Sequence, residues 1–417
     1  MTPRGQRVGQ ESQENPMSLN QIFATRATRM KASEIRELLK LLDQPGIISF
    51  AGGIPDPSLF PAEEFATALT RALSDGRAAQ SLQYSASEGH AGLRDWIVGQ
   101  MAAIGVPCTR DNILITSGSQ QALDYLGKLF LSPGDTALVG WPTYLGALGA
   151  FNAYEPRYDR LDAGSNRAAD DYTQEAAKSG GRVKFAYLSP DFANPTGVTL
   201  DRADREALLD LADALDCAVI EDAAYQALRY DGDPVPPILA LEVARKGDIE
   251  DCRTIYCGSF SKTLSPGLRL GWVCAASPVI RQMVLLKQAG DLHSATLNQI
   301  AMLDVAQGFD GHVARVRALY RARRDAMLAA LERHMPADVT WTKPEGGMFV
   351  WVTLPEAMDG AALLERSLAQ DKVAFVPGAA FFPDGSGRNT IRLNFSSPTE
   401  AMIEEGLSRL GRLILAT

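Results

Sequence analysis

From residue 112 onward, short and continuously apolar runs alternate with stretches of helical spacing. The runs fall at residues 113–116, 137–140, 183–188, 217–221, 254–257 and 271–275. Apolar runs this short, bounded by turn formers, mark strands that are buried on both faces. Between them, residues 120–131, 172–178 and 202–215 repeat their apolar positions three and four apart, which predicts helices. Such alternation predicts an α/β domain with a mostly parallel sheet covered by helices on both faces. Earlier in the chain, residues 31–42 read as a helix: Ile35, Leu38, Leu39 and Leu42 form one stripe, Ser33 is available as N-cap, and Pro45-Gly46 stops it. Residues 63–73 and 92–104 predict two more helices, and residues 47–55 run extended into a glycine-rich turn. After Asp291 the order changes. Helical stretches at 296–305 and 313–334 precede apolar runs at 347–352, 373–376 and 390–395, the pattern of a smaller α+β domain. Chain termini often lie close together, so the N-terminal segment is expected to join that domain. The division expected is a disordered tail over 1–16, an N-terminal segment over 17–60, a large domain over 61–300 and a small one over 301–417.

Composition narrows the function classes. The 417 residues are 46% hydrophobic and 22% charged, ordinary for a globular chain with room for two cores. Lys+Arg 41 against Asp+Glu 50 gives a net charge of −9, which leaves no electrostatic footprint for nucleic acid or an anionic membrane. The five cysteines are odd in number and scattered, with neither metal spacing nor a disulfide framework. No apolar run reaches the length of a membrane span, and residues 1–16 are polar, without a signal peptide's apolar centre. A cytoplasmic enzyme is the expectation, with Met1 or Met17 as its start.

The polar clusters follow the predicted strands. Ser259-Phe260-Ser261-Lys262 follows the run 254–257 after Gly258, which bounds it, with Arg269 one short loop further on. Ser259, Ser261 and Arg269 suit a phosphate, and an amine beside an anion pocket suits a covalently held aldehyde cofactor. Taken alone, a lysine in such a loop is more often a solvated surface residue. Thr116-Ser117-Gly118-Ser119-Gln120 opens a predicted helix, either as a phosphate cradle or as plain capping. Asn194-Pro195-Thr196-Gly197 reads as a ligand contact or as common turn chemistry. Asp222, just past the run 217–221, is either an N-cap or the partner of a buried cation. In an open α/β sheet the carboxyl ends of separate strands meet at one crevice, which would bring these clusters together.

Their order along the chain resembles the fold-type-I pyridoxal-phosphate aminotransferases of class I/II, and within them the 2-aminoadipate and kynurenine-type enzymes. The resemblance rests on Phe50-Ala51-Gly52-Gly53-Ile54-Pro55, Leu82-Gln83-Tyr84-Ser85, Pro142-Thr143-Tyr144, the clusters above, Gly346-Gly347-Met348-Phe349 and Ile391-Arg392-Leu393-Asn394-Phe395, and spans nearly all of residues 20–415. It implies an enzyme that moves an amino group from an L-amino acid to a 2-oxo acid such as 2-oxoglutarate, through a Schiff base on Lys262 and a pyridoxamine phosphate stage. The donor would be of 2-aminoadipate, aromatic/kynurenine or branched-chain type. Asp222 would pair with the ring nitrogen, Asn194 and Tyr225 would bind the ring hydroxyl, and Tyr144 would stack on the ring. Ser119, Gln120, Ser259, Ser261 and Arg269 would hold the phosphate, joined by Tyr84 of a neighbouring subunit in a homodimer. Arg392 would clamp the substrate α-carboxylate beside Gly53, and Arg29 is the matching position for a distal carboxylate, though a mobile surface arginine fits its context equally. A C–S lyase or decarboxylase on the same fold shares nearly all these residues. An effector-binding regulator is the alternative from another class; it would need a DNA-binding segment for which the chain leaves no room.

Overall fold

The computed structural model describes residues 19–30, 46–74, 76–162 and 164–416. The helix expected over residues 31–42 and the tail expected over 1–16 lie outside the described residues.

A seven-stranded sheet forms the centre of the molecule, in the order β2-β8-β7-β6-β5-β3-β4. Its strands are β2 (Ile113–Thr116), β3 (Thr136–Gly140), β4 (Arg157–Leu161), β5 (Val183–Leu188), β6 (Ala218–Asp222), β7 (Thr254–Ser259) and β8 (Gly271–Cys274). The pairs from β7 through β6, β5 and β3 to β4 are parallel, and β8 runs against both of its neighbours. Strand alternation divides the side chains between two faces. Leu114, Val139, Phe185, Tyr187, Ile220, Ile255 and Val273 pack on one side, against the helices Ser119–Phe130, Leu145–Asn152 and Ser277–Gly290. Ile113, Ile115, Leu138, Ala186, Val219, Tyr256 and Cys274 fill the other, beneath Ala91–Ala103, Arg202–Leu215, Ile238–Lys246 and Thr296–Ala306. With both faces covered, continuous apolar runs rather than alternating ones are what the strands need.

The C-terminal part builds a four-stranded antiparallel sheet in the order β12-β13-β10-β9, from Val376–Pro377, Thr390–Asn394, Phe349–Thr353 and Thr340–Trp341. The helices Phe309–His334, Gly360–Gln370 and Glu400–Leu415 close a core with it around Tyr320, Met327, Leu363, Ile391, Leu393 and Leu407. The N-terminal segment joins this half. Its strand β1 (Ile48–Ser49) pairs in parallel with β11 (Val373–Ala374), and Asn394 donates its backbone N–H to Phe50 O at 2.9 Å.

Candidate active site

At the carboxyl ends of the parallel strands lies a cavity of about 260 Å³. Five strand ends supply it: Ser119 after β2, Tyr144 after β3, Ser189 and Asn194 after β5, Asp222 and Tyr225 at β6, and Ser259 at the end of β7 with Ser261, Lys262 and Arg269 after it. Gly53 and Ile54 enter from the N-terminal segment and Arg392 from β13, so both halves of the molecule build the site.

Lys262 is the nucleophile candidate. Its Nζ donates to Gly53 O at 2.8 Å. Burial, reinforced by the positive charges of Arg392 and Arg269, pulls its pKa down to about 8, while Asp222 pulls the other way. An amine so placed has a sizeable neutral fraction near neutral pH and can add to a carbonyl carbon.

Asp222 and its neighbour Glu221 show how the strand sorts two adjacent carboxyls. Alternation sends Glu221 to the far face, where it accepts from the backbone N–H groups of Ile238 (2.9 Å) and Leu239 (3.0 Å) at a helix start. The capping role open to Asp222 in the sequence therefore falls to Glu221. Asp222 points into the cavity, 5% exposed, its Oδ2 accepting from the Tyr187 hydroxyl at 2.8 Å. Its Oδ1 is buried and has no hydrogen-bond partner among the described residues. Burial raises this carboxyl to about 6, against the lowering pull of the Tyr187 and Ala224 hydrogen bonds and of Lys262.

One end of the cavity is built for an anion. The helix Ser119–Phe130 points its first turn inward, where backbone N–H groups lack intrahelical partners. Gly118 before it has φ 81°, and a Cβ there would run into the Arg269 guanidinium. Glycine therefore lets the arginine lie against the helix start. Arg269 itself donates to Ser261 Oγ at 3.4 Å, and Ser259 Oγ accepts from the Ser261 backbone N–H at 3.1 Å. Gln120 lines the cavity, but its carboxamide donates to Gly146 O at 2.7 Å, which leaves its backbone amide to face a ligand.

The other end holds Arg392, 1% exposed. It donates to Asn194 Oδ1 at 2.7 Å and to Ala51 O at 3.0 Å, while its Nε has no partner among the described residues. The rings of Phe349 and Phe381 lie 4.2 and 5.0 Å from the guanidinium carbon. Asn194 Nδ2 and the Tyr225 hydroxyl are 3.5 Å apart, and burial holds that phenol well above its ordinary pKa. Tyr144, pushed up to about 12 by burial, closes the wall beside Gln120.

Of the residues read from the sequence, Gly53, Ser119, Gln120, Tyr144, Asn194, Asp222, Tyr225, Ser259, Ser261, Lys262, Arg269 and Arg392 all line this cavity. Two do not. Tyr84 is 77% exposed and meets the His293 ring edge-on at 5.9 Å. Arg29 Nη2 donates to Pro156 O at 2.9 Å, beside β4. Sequence reasoning passed over Tyr187 and Ser189, whose signal was a polar tip in and just after an otherwise apolar strand. The residues fit pyridoxal phosphate: an orphaned buried carboxylate oxygen for a protonated ring nitrogen, a cradle that a Cβ at Gly118 would fill, and a buried amine between them.

The comparisons agree with this geometry. The model of the family aminotransferase class I and II matches residues 47–410. The aromatic-amino-acid aminotransferase 1 of Thermococcus litoralis is 44% identical over 399 residues, which are 94% of each chain. The 2-aminoadipate transaminase of Thermus thermophilus is 43% identical over 400 residues, 96% of this chain and 98% of that one. Among solved structures, the alpha-aminoadipate aminotransferase of Thermus thermophilus in complex with N-(5'-phosphopyridoxyl)-L-leucine has a TM-score of 0.85 at 41% identity, covering 96% of this chain and 99% of that one. A match over most of the length, carried by a site of this chemistry, makes the chain a member of the class I and II aminotransferases, enzymes that depend on pyridoxal phosphate.

Proposed function

We propose that this aminotransferase takes its amino group from L-amino acids of 2-aminoadipate, aromatic/kynurenine or branched-chain type and passes it to 2-oxoglutarate, as a cytoplasmic homodimer. The aromatic and 2-aminoadipate members of that range follow the names of two relatives, 44% and 43% identical. All five cysteines are unpaired, and among the described residues no helix is long and apolar enough to cross a membrane, which accords with that compartment.

When bound, pyridoxal phosphate supplies an aldehyde that condenses with amines and a ring that draws electrons from the bond being broken. In this reading Lys262 holds the cofactor covalently, gives way to the substrate amine, and then carries the proton from the substrate Cα. Its lowered pKa suits both tasks. Asp222 offers its unpartnered Oδ1 to the ring nitrogen and keeps the proton there. The Tyr225 hydroxyl and Asn194 donate to the ring oxygen, and Tyr144 covers the ring. The first-turn amides at Ser119 and Gln120, with Ser259, Ser261 and Arg269, take the phosphate. Arg392 releases its present acceptors to grip the substrate carboxylate with two parallel hydrogen bonds, beside Gly53. Tyr84, exposed in its own chain, reaches the phosphate of a second copy, and Arg29 answers a distal carboxylate.

The observation that carries this reading is the orphaned Asp222 Oδ1 opposite a buried lysine with lowered pKa. The test is a half-reaction. Mixing the loaded enzyme with an amino donor alone should convert the cofactor stoichiometrically to its amine form, and 2-oxoglutarate should reverse the change. Release of ammonia or carbon dioxide without that reversible conversion would sink it.

A further inference from the structure

Behind the anion cradle lies a charged network that the reaction itself does not use. Lys287, near the end of the helix Ser277–Gly290, has a side chain 0% exposed. Its Nζ lies 3.0 Å from each oxygen of Asp291 and 2.8 Å from Gln121 Oε1. Gln121 Oε1 also accepts from the backbone N–H of Ser117 at 2.9 Å. Asp291 Oδ2 accepts from the Ser117 hydroxyl at 3.0 Å and from Gln121 Nε2 at 2.7 Å. The Ser117 hydroxyl thus ends on Asp291 and its backbone N–H on Gln121, the carboxamide that both ions hold. Ser117 is the residue before Gly118, whose missing Cβ admits Arg269 to the helix start.

We propose that Lys287 and Asp291 are positioning residues for phosphate binding: through Gln121 and Ser117 they fix the turn that aims the Gly118–Ser119 amides and leaves room for Arg269. Burying an ammonium is costly, and a neutral cap would satisfy a helix end more cheaply. What the ion pair adds is direction. It meets one residue from two sides, so the peptide planes following that residue cannot rotate, and hydrogen bonds to a phosphate depend steeply on such angles. The turn carries on from Asp291 to Ser294, whose Oγ is 3.2 Å from that of Ser117, so the anchor is shared by two backbone segments.

This inference rests on the reading that the cradle takes the cofactor phosphate, and the experiment separates the two. Dissociation constants of the full-length apoenzyme are measured for pyridoxamine and for pyridoxamine phosphate, and the first divided by the second isolates the phosphate contribution. Removing Asp291 alone would strand the buried Lys287 ammonium, so both are replaced together by apolar residues of similar size, Lys287→Met with Asp291→Leu. The expected result is a ratio lower by about tenfold with pyridoxamine affinity unchanged, as for the loss of a hydrogen bond to a charged group. Ser117→Ala, which leaves the ion pair in place, should lower the ratio in the intact chain and add little in the double variant. An unchanged ratio in either variant, or equal weakening of both ligands, overturns the proposal. If the wild-type chain binds the two ligands alike, the cradle reading fails first and takes the inference with it.

Discussion

Lys262 is set apart from an ordinary lysine by where its charge would sit, between two arginines and away from water, with Asp222 as the opposing influence. Its pKa near 8 predicts that the apoenzyme captures pyridoxal phosphate faster as pH rises from 7 to 9, levelling above that. Asp222→Asn removes the charge that favours the ammonium, so the midpoint of that rise should move to lower pH. Stopped-flow absorbance reads both, and a midpoint near 10 would contradict the argument. At the other end, Arg392→Lys keeps the charge but loses the planar fork, and kcat/KM for every donor should fall on the order of a hundredfold. Arg29→Gln discriminates between substrates: activity on 2-aminoadipate should drop while activity on phenylalanine stays, and equal loss on both would remove Arg29 from any specificity role. Ser119, Asp222, Ser259, Ser261 and Lys262 were legible in the sequence because they sit at or just past the ends of apolar runs, whereas Arg392, inside its strand, was singled out only by the family resemblance. Tyr187 was not, since a phenol inside such a run looks like core until the neighbouring strand places Asp222 under it. Lys287 likewise sits in an ordinary amphipathic helix, and nothing local announces that its amine is buried.

Among the elements, strands at the sheet centre were easiest to read, and the bounds of β2 and β5 coincide with their apolar runs. The edge strand β4 escaped because Arg157, Asp159 and Arg160 leave it mostly solvated and polar. The helices Leu145–Asn152 and Ile238–Lys246 went unread for want of a side-chain cap, whereas Ser277–Gly290, Gly360–Gln370 and Glu400–Leu415 were missed although Pro278, Asp359 and Thr399 mark their starts. The register of β6 has a measurable consequence. Burial raises the Glu221 carboxyl to about 7, above its unfolded value, although it caps a helix. A group that binds its proton more tightly when folded contributes its full stability below about pH 4.5 and loses it as pH climbs through about 7. Glu221→Gln cannot titrate, so its melting temperature should gain on the wild type between pH 5 and 8, and parallel curves would refute the assignment. A second element-scale prediction concerns the segment 50–56 and the long helix Phe309–His334. Arg323 pairs with Asp56 at 2.6 Å, both nearly buried, and Arg323→Met should cost about 3–5 kcal/mol of unfolding free energy in urea.

For the whole molecule, the exposed Tyr84 makes a prediction that one chain cannot fulfil. Dimers formed from a Lys262→Ala chain and a Tyr84→Ala chain restore one complete site in each mixed pair, and about a quarter of the wild-type sites should return on equal mixing. Two inactive parents that stay inactive when mixed would show that Tyr84 does not cross. The two halves of a single chain also meet over one short piece of backbone. Phe50, Ala51 and Ile54 give their carbonyls to Asn394, Arg392 and Ser396 of the C-terminal half, while the carbonyl of Gly53 receives the Lys262 amine from the large sheet. Were the Lys262 nitrogen drawn towards a ligand carbonyl, its hold on Gly53 would loosen, while Phe50, Ala51 and Ile54 would keep this piece of backbone moored to the C-terminal half. A single side chain would thus decide whether the lip of the cavity answers to both halves of the molecule or to one.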